Sequence, residues 1–372
     1  MKKDASNHPL VYLFPVLVCL APAGVRAEII FENNFETSSW YTEWGLNSAP
    51  QNTSIMEEEP FCGDSHLRVV IPEGSHYGTS FGFDFDAMGY DRPDEIYFRY
   101  AIRLGPTWTT ASPGGGGKLP GFGATYNTAG WGGRRSDGTN GWSARGAFGR
   151  PSEDADSGAT RLGYYVYHAD MGTWGSEWYW SGDPLGPEGT IQPGRWYQIE
   201  LYVLNNTPGV ADGVLMAWVD SMPVYEKSDI RFRDVEHLHI ERVWFDLYYG
   251  GSWTAPVDMH IDFDNVLISR TPIGLVEPGS HDCKLIDDDD DPDDEDPDDE
   301  DPDDEDPDDE DPDDEDPDDE DPDDEDPGEE DSPGDGSRGC GCFSISPDGG
   351  LLFLFFSILM LVLIRKRIPR SG

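Results

Sequence analysis

Positive charge is scarce in this chain. Among 372 residues, 25 lysines and arginines stand against 75 acids, for a formal net charge of -50. Phosphate backbones are bound by clustered cations, so a nucleic-acid partner is excluded as an expectation. Cysteine is equally sparse, with only Cys62 and Cys283 between residues 28 and 286. No cluster of histidine and cysteine suggests a metal, and no cofactor is expected. The same stretch has no convincing amphipathic helix and no long apolar run.

What is present divides the chain into four parts. Residues 1–27 read as a secretory signal: Lys2 and Lys3 begin it, an apolar run spans Val11 to Leu20, and Val25-Arg26-Ala27 is a small-residue cleavage site ending at Ala27. Export would let Cys62 and Cys283 pair as a disulfide. Residues 287–337 form a spacer. Asp-Pro-Asp-Asp-Glu units recur every five residues, with 36 acids and no base between 287 and 331. Such a segment buries no apolar surface and is expected to stay disordered. Fully stretched at a polyproline rise it would reach about 140 Å.

Residues 338–372 carry Gly339-Cys340-Gly341-Cys342, an apolar run from Leu351 to Ile364, and Arg365-Lys366-Arg367. This tail resembles the MYXO-CTERM type of sorting signal. The resemblance implies processing at Cys340 or Cys342, lipid attachment and display on a bacterial cell surface or outer membrane. An ordinary transmembrane helix as anchor is the alternative, with the basic end cytoplasmic. Either places residues 28–286 outside the membrane on a stalk, expected as a monomer.

Residues 28–286 read as one domain of strands. Period-two alternation with aromatic and β-branched residues marks 67–72, 78–85, 96–104, 161–168, 196–204, 213–220, 239–249 and 260–268. The fold class expected is all-β: a two-sheet antiparallel sandwich or β-jelly roll. Alternation also sorts faces. Arg99 and Arg103 oppose Ile96, Phe98, Tyr100, Ile102 and Leu104. Ser143 and Arg145 oppose Trp142, Ala144 and Phe148. Tyr165 and Tyr167 oppose Leu162, Tyr164 and Val166.

Residues 98–150 hold seven bases (Arg99, Arg103, Lys118, Arg134, Arg135, Arg145, Arg150) and one acid, Asp137. A basic island in an acidic protein concentrates anions. Arg99, Arg103, Arg134 and Arg135 are therefore expected to bind an acidic polymer. With almost no acid nearby in sequence, Arg145 is expected to lack an ion-pair partner.

The strings GGKLPG, GWSAR and YVYH, with PGRWYQIELYVLNN, DGVLMAWVD, FDLYYGG and HIDFDNVLIS, resemble polysaccharide lyase family 14, the alginate and glucuronan lyases. The resemblance covers about residues 90 to 270. It implies a jelly roll whose concave sheet binds an anionic polysaccharide, with Lys118, Ser143, Arg145, Tyr165 and Tyr167 as the catalytic set. The chain departs from the family pattern in an extra polar loop, PSEDADSGATR, and in Gly146-Ala147-Phe148 after SAR; both bear on substrate preference.

The chemistry implied is β-elimination at the 4-O-glycosidic bond of a polyuronate. The proton at C5 becomes acidic once cations neutralise the adjacent carboxylate. Arg145 and Lys118 would do so, with Ser143 adding a hydrogen bond. Neighbouring cations would lower the tyrosine pKa, making one tyrosine base and the other acid, in an order the sequence leaves open. Two other readings compete: a non-catalytic carbohydrate-binding module using the same groove, and a glycoside hydrolase using Asp262 and Asp264, which read better as parts of a closing strand.

Overall fold

The computed structural model describes residues 27–110, 115–152 and 158–286. The signal segment before Ala27, the acidic spacer, and the tail with Cys340 and Cys342 lie outside the described residues. Among the described residues no helix is long and apolar enough to cross a membrane.

The body is an all-β, two-sheet antiparallel sandwich, consistent with a jelly roll. One sheet runs β13 (Met222–Ile230), β12 (Gly213–Val219), β11 (Trp196–Leu204), β5 (Glu95–Leu104), β15 (Met259–Ser269), β3 (His66–Ile71) and β2 (Thr53–Met56), with β1 (Ile29–Asn33) added to β15. The other runs β10 (Thr190–Ile191), β8 (Thr160–Tyr167), β7 (Trp142–Gly149), β6 (Gly116–Ala124), β14 (Arg242–Tyr249) and β4 (Tyr77–Asp84), with β9 (Ser176–Tyr179) added to β8.

Alternation builds the core. Ile96, Phe98, Tyr100, Ile102 and Leu104 of β5 are buried against the inner residues of the second sheet, among them Leu119, Phe122, Val243, Phe245 and Leu247. Phe98 meets Phe122 at 6.2 Å and Phe245 meets Phe263 at 4.8 Å between ring centroids, edge to face across the sheets. Tyr164 is also fully buried and donates to the Met216 carbonyl at 2.6 Å, so it belongs to the core and its neighbours Tyr165 and Tyr167 to the opposite face.

Glycine and proline place one strand that alternation does not reveal. Lys118 lies on β6, in the string GGKLPGFGA. Pro120 falls at a register shift between Leu119 and Gly121 against β7, where a residue without an N–H is tolerated.

The outer face of the first sheet is closed by two irregular segments. Cys62 and Cys283 form a disulfide with Cα atoms 5.2 Å apart. Gly63 N–H donates to the Ser280 carbonyl and Gly279 N–H to that of Phe61. Beneath this cover lie charges that the sequence reading assigns to polymer binding.

Candidate active site

The outward face of the second sheet gathers four of the five expected catalytic side chains around one floor. On β7 and β8, Arg145 is directly opposite Tyr165, and Ser143 opposite Tyr167. On the other flank of β7, Arg145 faces Gly121 and Ser143 faces Gly123. These small residues keep the floor low; a Cβ at Gly121 would meet the Arg145 Cα at 2.6 Å. Lys118 pairs with Ala147, itself opposite Gly163. Its side chain can therefore cross β7, and Nζ lies 3.6 Å from the Tyr165 ring centroid. Tyr165 and Tyr167 pack edge to face at 5.6 Å.

Electrostatics divides their roles. Burial, and then the charge of Arg145, draws Lys118 down to about 7, against the opposing pull of Glu177 and Asp246. Burial pushes Tyr165 up to about 12, assisted by Tyr167 and by the negative charge of Glu177. This reverses the expectation that cations lower the tyrosine pKa. The half-buried phenol loses hydration, and Tyr167 and Glu177 raise it further. Tyr165 therefore holds its proton at neutral pH, while Lys118 can release one.

Arg145 does have an ion-pair partner, contrary to expectation. Its Nη1 lies 2.7 Å from Asp246 Oδ2, both side chains about 8% exposed. The guanidinium also stacks on Trp244 at 4.6 Å from the ring centroid. Asp246 lies on β14, a strand 101 residues away in sequence, so local charge counting misses it. The signal was in FDLYYGG: Asp246 alternates with the buried Phe245 and Leu247, which puts it on the groove face with Trp244 and Tyr248.

Ser143 is fully buried, and its hydroxyl donates to the Gly130 carbonyl at 2.6 Å. Its proton is committed to the loop after β6, not to a ligand in the groove. That loop returns to the site at Gly133, whose N–H donates to the Tyr167 hydroxyl oxygen at 3.1 Å. Ser143 thus acts on Tyr167 by holding the loop that caps it.

The four arginines expected to bind polymer separate into two pairs. Arg99 and Arg103 lie on β5, in the other sheet, and face away from the groove. Arg99 is fully buried, donating to the Gly274 carbonyl at 2.9 Å and to Asn265. Arg103 pairs with Asp262 at 2.9 Å and Glu59 at 3.1 Å. Arg103 neutralises the buried Asp262, and Arg99 satisfies a backbone carbonyl and an amide beneath the disulfide-linked cover, so neither lines the face that carries Lys118. Arg134 and Arg135 are exposed on the loop that carries Gly133. Arg134 stacks on Trp131 at 4.5 Å.

The hydrolase pair fails on the same ground. Asp262 is gripped by Arg68 and Arg103. Although burial opposes it, the His66 ring 3.5 Å away and hydrogen bonds from Arg68 hold its carboxyl far below the usual range. Asp264 is buried and accepts the backbone N–H groups of Phe61, Cys62 and Asn265. Neither reaches the groove. Among the described residues no group of three or more His, Cys, Asp or Glu side chains could hold a metal ion.

Residues 188–266 match the family model "Polysaccharide lyase 14". The matched segment contains Asp246 and Tyr248 but begins after the strands carrying Lys118, Arg145 and Tyr165. No curated protein matches the chain. Among solved structures, the marine PL-14 alginate lyase of Aplysia kurodai is 20% identical at a TM-score of 0.50, covering 66% of this chain and all of that one. The alginate lyase Aly36B, in complex with alginate tetrasaccharide, is 19% identical at 0.49, covering 67% and 97%. The endo-β-1,4-glucuronan lyase of Trichoderma reesei is 16% identical at 0.44, covering 65% and 96%. The family-model match, on a two-sheet fold shared with the Aplysia enzyme, supports a polysaccharide lyase.

Proposed function

We propose that this protein cleaves a polyuronate of the alginate or glucuronan type by β-elimination at the 4-O-glycosidic bond. The observation that carries the reading is the meeting of Lys118 and Tyr165: an amine drawn down to about 7 lies against a phenol pushed up to about 12. A base that is free near neutral pH and an acid that keeps its proton are the two groups an elimination needs.

In this mechanism Arg145 receives the uronate carboxylate, with Asp246 and Trp244 fixing the plane of its guanidinium. Neutralising that carboxylate stabilises the enolate that forms when the C5 proton leaves. Lys118 Nζ takes the proton. The electron pair moves to form the C4–C5 double bond, the C4–O4 bond breaks, and Tyr165 donates its proton to the departing O4. Each turnover leaves Lys118 charged and Tyr165 ionised, and proton exchange between them restores both. Tyr167, capped by Gly133 N–H, orients Tyr165 through their edge-to-face contact. The exposed Arg134 and Arg135 are proposed to draw in the acidic chain.

The same proposal puts this activity on a bacterial cell surface or outer membrane, with the protein a monomer held by its C-terminal tail or a lipid; the sequence of the signal segment, spacer and tail supports it. The test is incubation of the purified protein with alginate and with glucuronan, following the ultraviolet absorbance of the unsaturated uronate. Growth of that absorbance with either polymer supports the proposal. New reducing ends without it indicate hydrolysis, and retention of the polymer with neither indicates a binding module.

A further inference from the structure

A cluster of aromatic rings lies on the groove face beside Lys118, outside the set assigned to chemistry. Tyr248 on β14 is the direct strand partner of Lys118 on one side and of Tyr77 on the other. Tyr248 stacks on His76 with centroids 5.5 Å apart and planes within 10°. Tyr77 meets Tyr248 edge to face at 5.2 Å and is 57% exposed. The cluster is built, not incidental. A register shift between Leu247 and Tyr248 brings Tyr77 opposite Tyr248, because a bulge changes which face a side chain takes. Gly78 stands at that shift, where a Cβ would meet Leu247 Cδ2 at 2.9 Å. His76 Nδ1 is fixed on the Tyr249 carbonyl at 3.0 Å, which holds its ring flat under the cluster.

Tyr77 is exposed, and His76 and Tyr248 are partly exposed. They end at β4, the edge of the sheet, and strand pairing carries the same face from Tyr248 through Lys118 and Ala147 to Gly163 on β8, the strand of Tyr165. Neighbouring strands lie about 4.8 Å apart, so Tyr77 sits two strand spacings, roughly 10 Å, from Lys118 across the groove. A polymer bound with its reacting ring at Lys118 and Arg145 and its axis across the strands would lay a flanking ring there. Pyranose rings present C–H faces that pack on aromatic surfaces, while their carboxylates stay at the solvent edge.

We infer that Tyr77 and Tyr248, backed by His76, form a sugar-stacking subsite that holds a neighbouring ring of the acidic polysaccharide beside the reacting one. The inference rests on the polyuronate reading for the identity of the polymer. Its role is in binding, so its loss acts on KM more than on kcat.

The experiment compares wild type with Tyr77→Ala and Tyr77→Trp, using alginate and glucuronan as the probes. Tyr77 is exposed on an edge strand, and unchanged thermal midpoints verify that the variants fold. A contact of this kind predicts that Tyr77→Ala raises KM for the cleaved polymer about two- to tenfold with little change in kcat, and that Tyr77→Trp restores it. An unchanged KM with Tyr77→Ala, or an equal loss in the tryptophan variant, overturns the subsite while leaving the lyase reading intact. If wild type cleaves neither polymer, affinity electrophoresis in the same gels decides: weaker retention of Tyr77→Ala keeps the subsite and removes the lyase, and equal migration overturns the subsite.

Discussion

In the proposed mechanism the pH dependence of turnover follows the state of Lys118. Its amine is drawn from the ordinary 10.5 to about 7, and its neutral form is the proposed base. At pH 6 about a tenth of the enzyme then carries a free amine, and at pH 8 about nine-tenths. Turnover of a polyuronate at low substrate should therefore rise roughly ninefold between those values and level off above pH 8, since Tyr165 keeps its proton to about 12. Glu177 is exposed and holds the Lys118 pKa up. Glu177→Gln should move the rising limb to lower pH by about half a unit, the size expected of one screened charge. The same shift acts on stability. The folded state binds fewer protons at Lys118 than the unfolded state between about 7 and 10.5, so the lysine makes stability rise with pH in that window. Lys118→Met should flatten this slope in thermal melts. Initial rates across pH 5 to about 10, fitted for a single ionisation, provide the assay. A rate still climbing tenfold per unit above pH 8 would mean an unshifted lysine. A rate falling from pH 6 to 8 would mean that Lys118 works as a cation, and the base assignment would be refuted.

Substitution tests the remaining parts of the site. Lys118→Ala and Tyr165→Phe should each lower kcat by about 10²–10⁴ with the melting profile at neutral pH preserved in the phenylalanine variant; substantial turnover in either removes that residue from the proton transfers. Asp246→Asn leaves the Arg145 charge buried without its partner and should cost about 3–5 kcal/mol in denaturant unfolding, whereas an unchanged midpoint would mean that the pair contributes little. Ser143→Ala leaves the Gly130 carbonyl without its buried donor, for about 1–3 kcal/mol, and should slow turnover without abolishing it; complete loss would mean direct contact with substrate. Reducing the Cys62–Cys283 bond, which closes a loop of 221 residues, should lower unfolding stability by roughly 5 kcal/mol in the chain-entropy model, seen as a lower denaturation midpoint.

Strand alternation made much of the architecture legible. β5, β8 and β11 lie within a residue of their expected limits because aromatic and β-branched residues at every second position favour one half-buried conformation. The same alternation set Tyr165 and Tyr167 apart from Tyr164. It was silent on β6, whose glycines and Pro120 suppress any strand signal while leaving room for the Lys118 side chain. Sheet membership was not legible either. Arg99 and Arg103 share a sequence island with Lys118 but lie in the opposite sheet, because consecutive strands of a sandwich can change layers. The partner of Arg145 came from a distant strand for the same reason. Local sequence likewise could not show how deeply Tyr165 is buried, and burial is the largest cause of its raised pKa.

The masses of the fragments released from a defined polyuronate test the central claim most directly. Elimination by Lys118 and Tyr165 predicts oligosaccharides bearing one unsaturated uronate at the new non-reducing end, each lighter by one water than its hydrolytic counterpart. Fragments of full hydrolytic mass, or an intact polymer after prolonged incubation with folded protein, would contradict it.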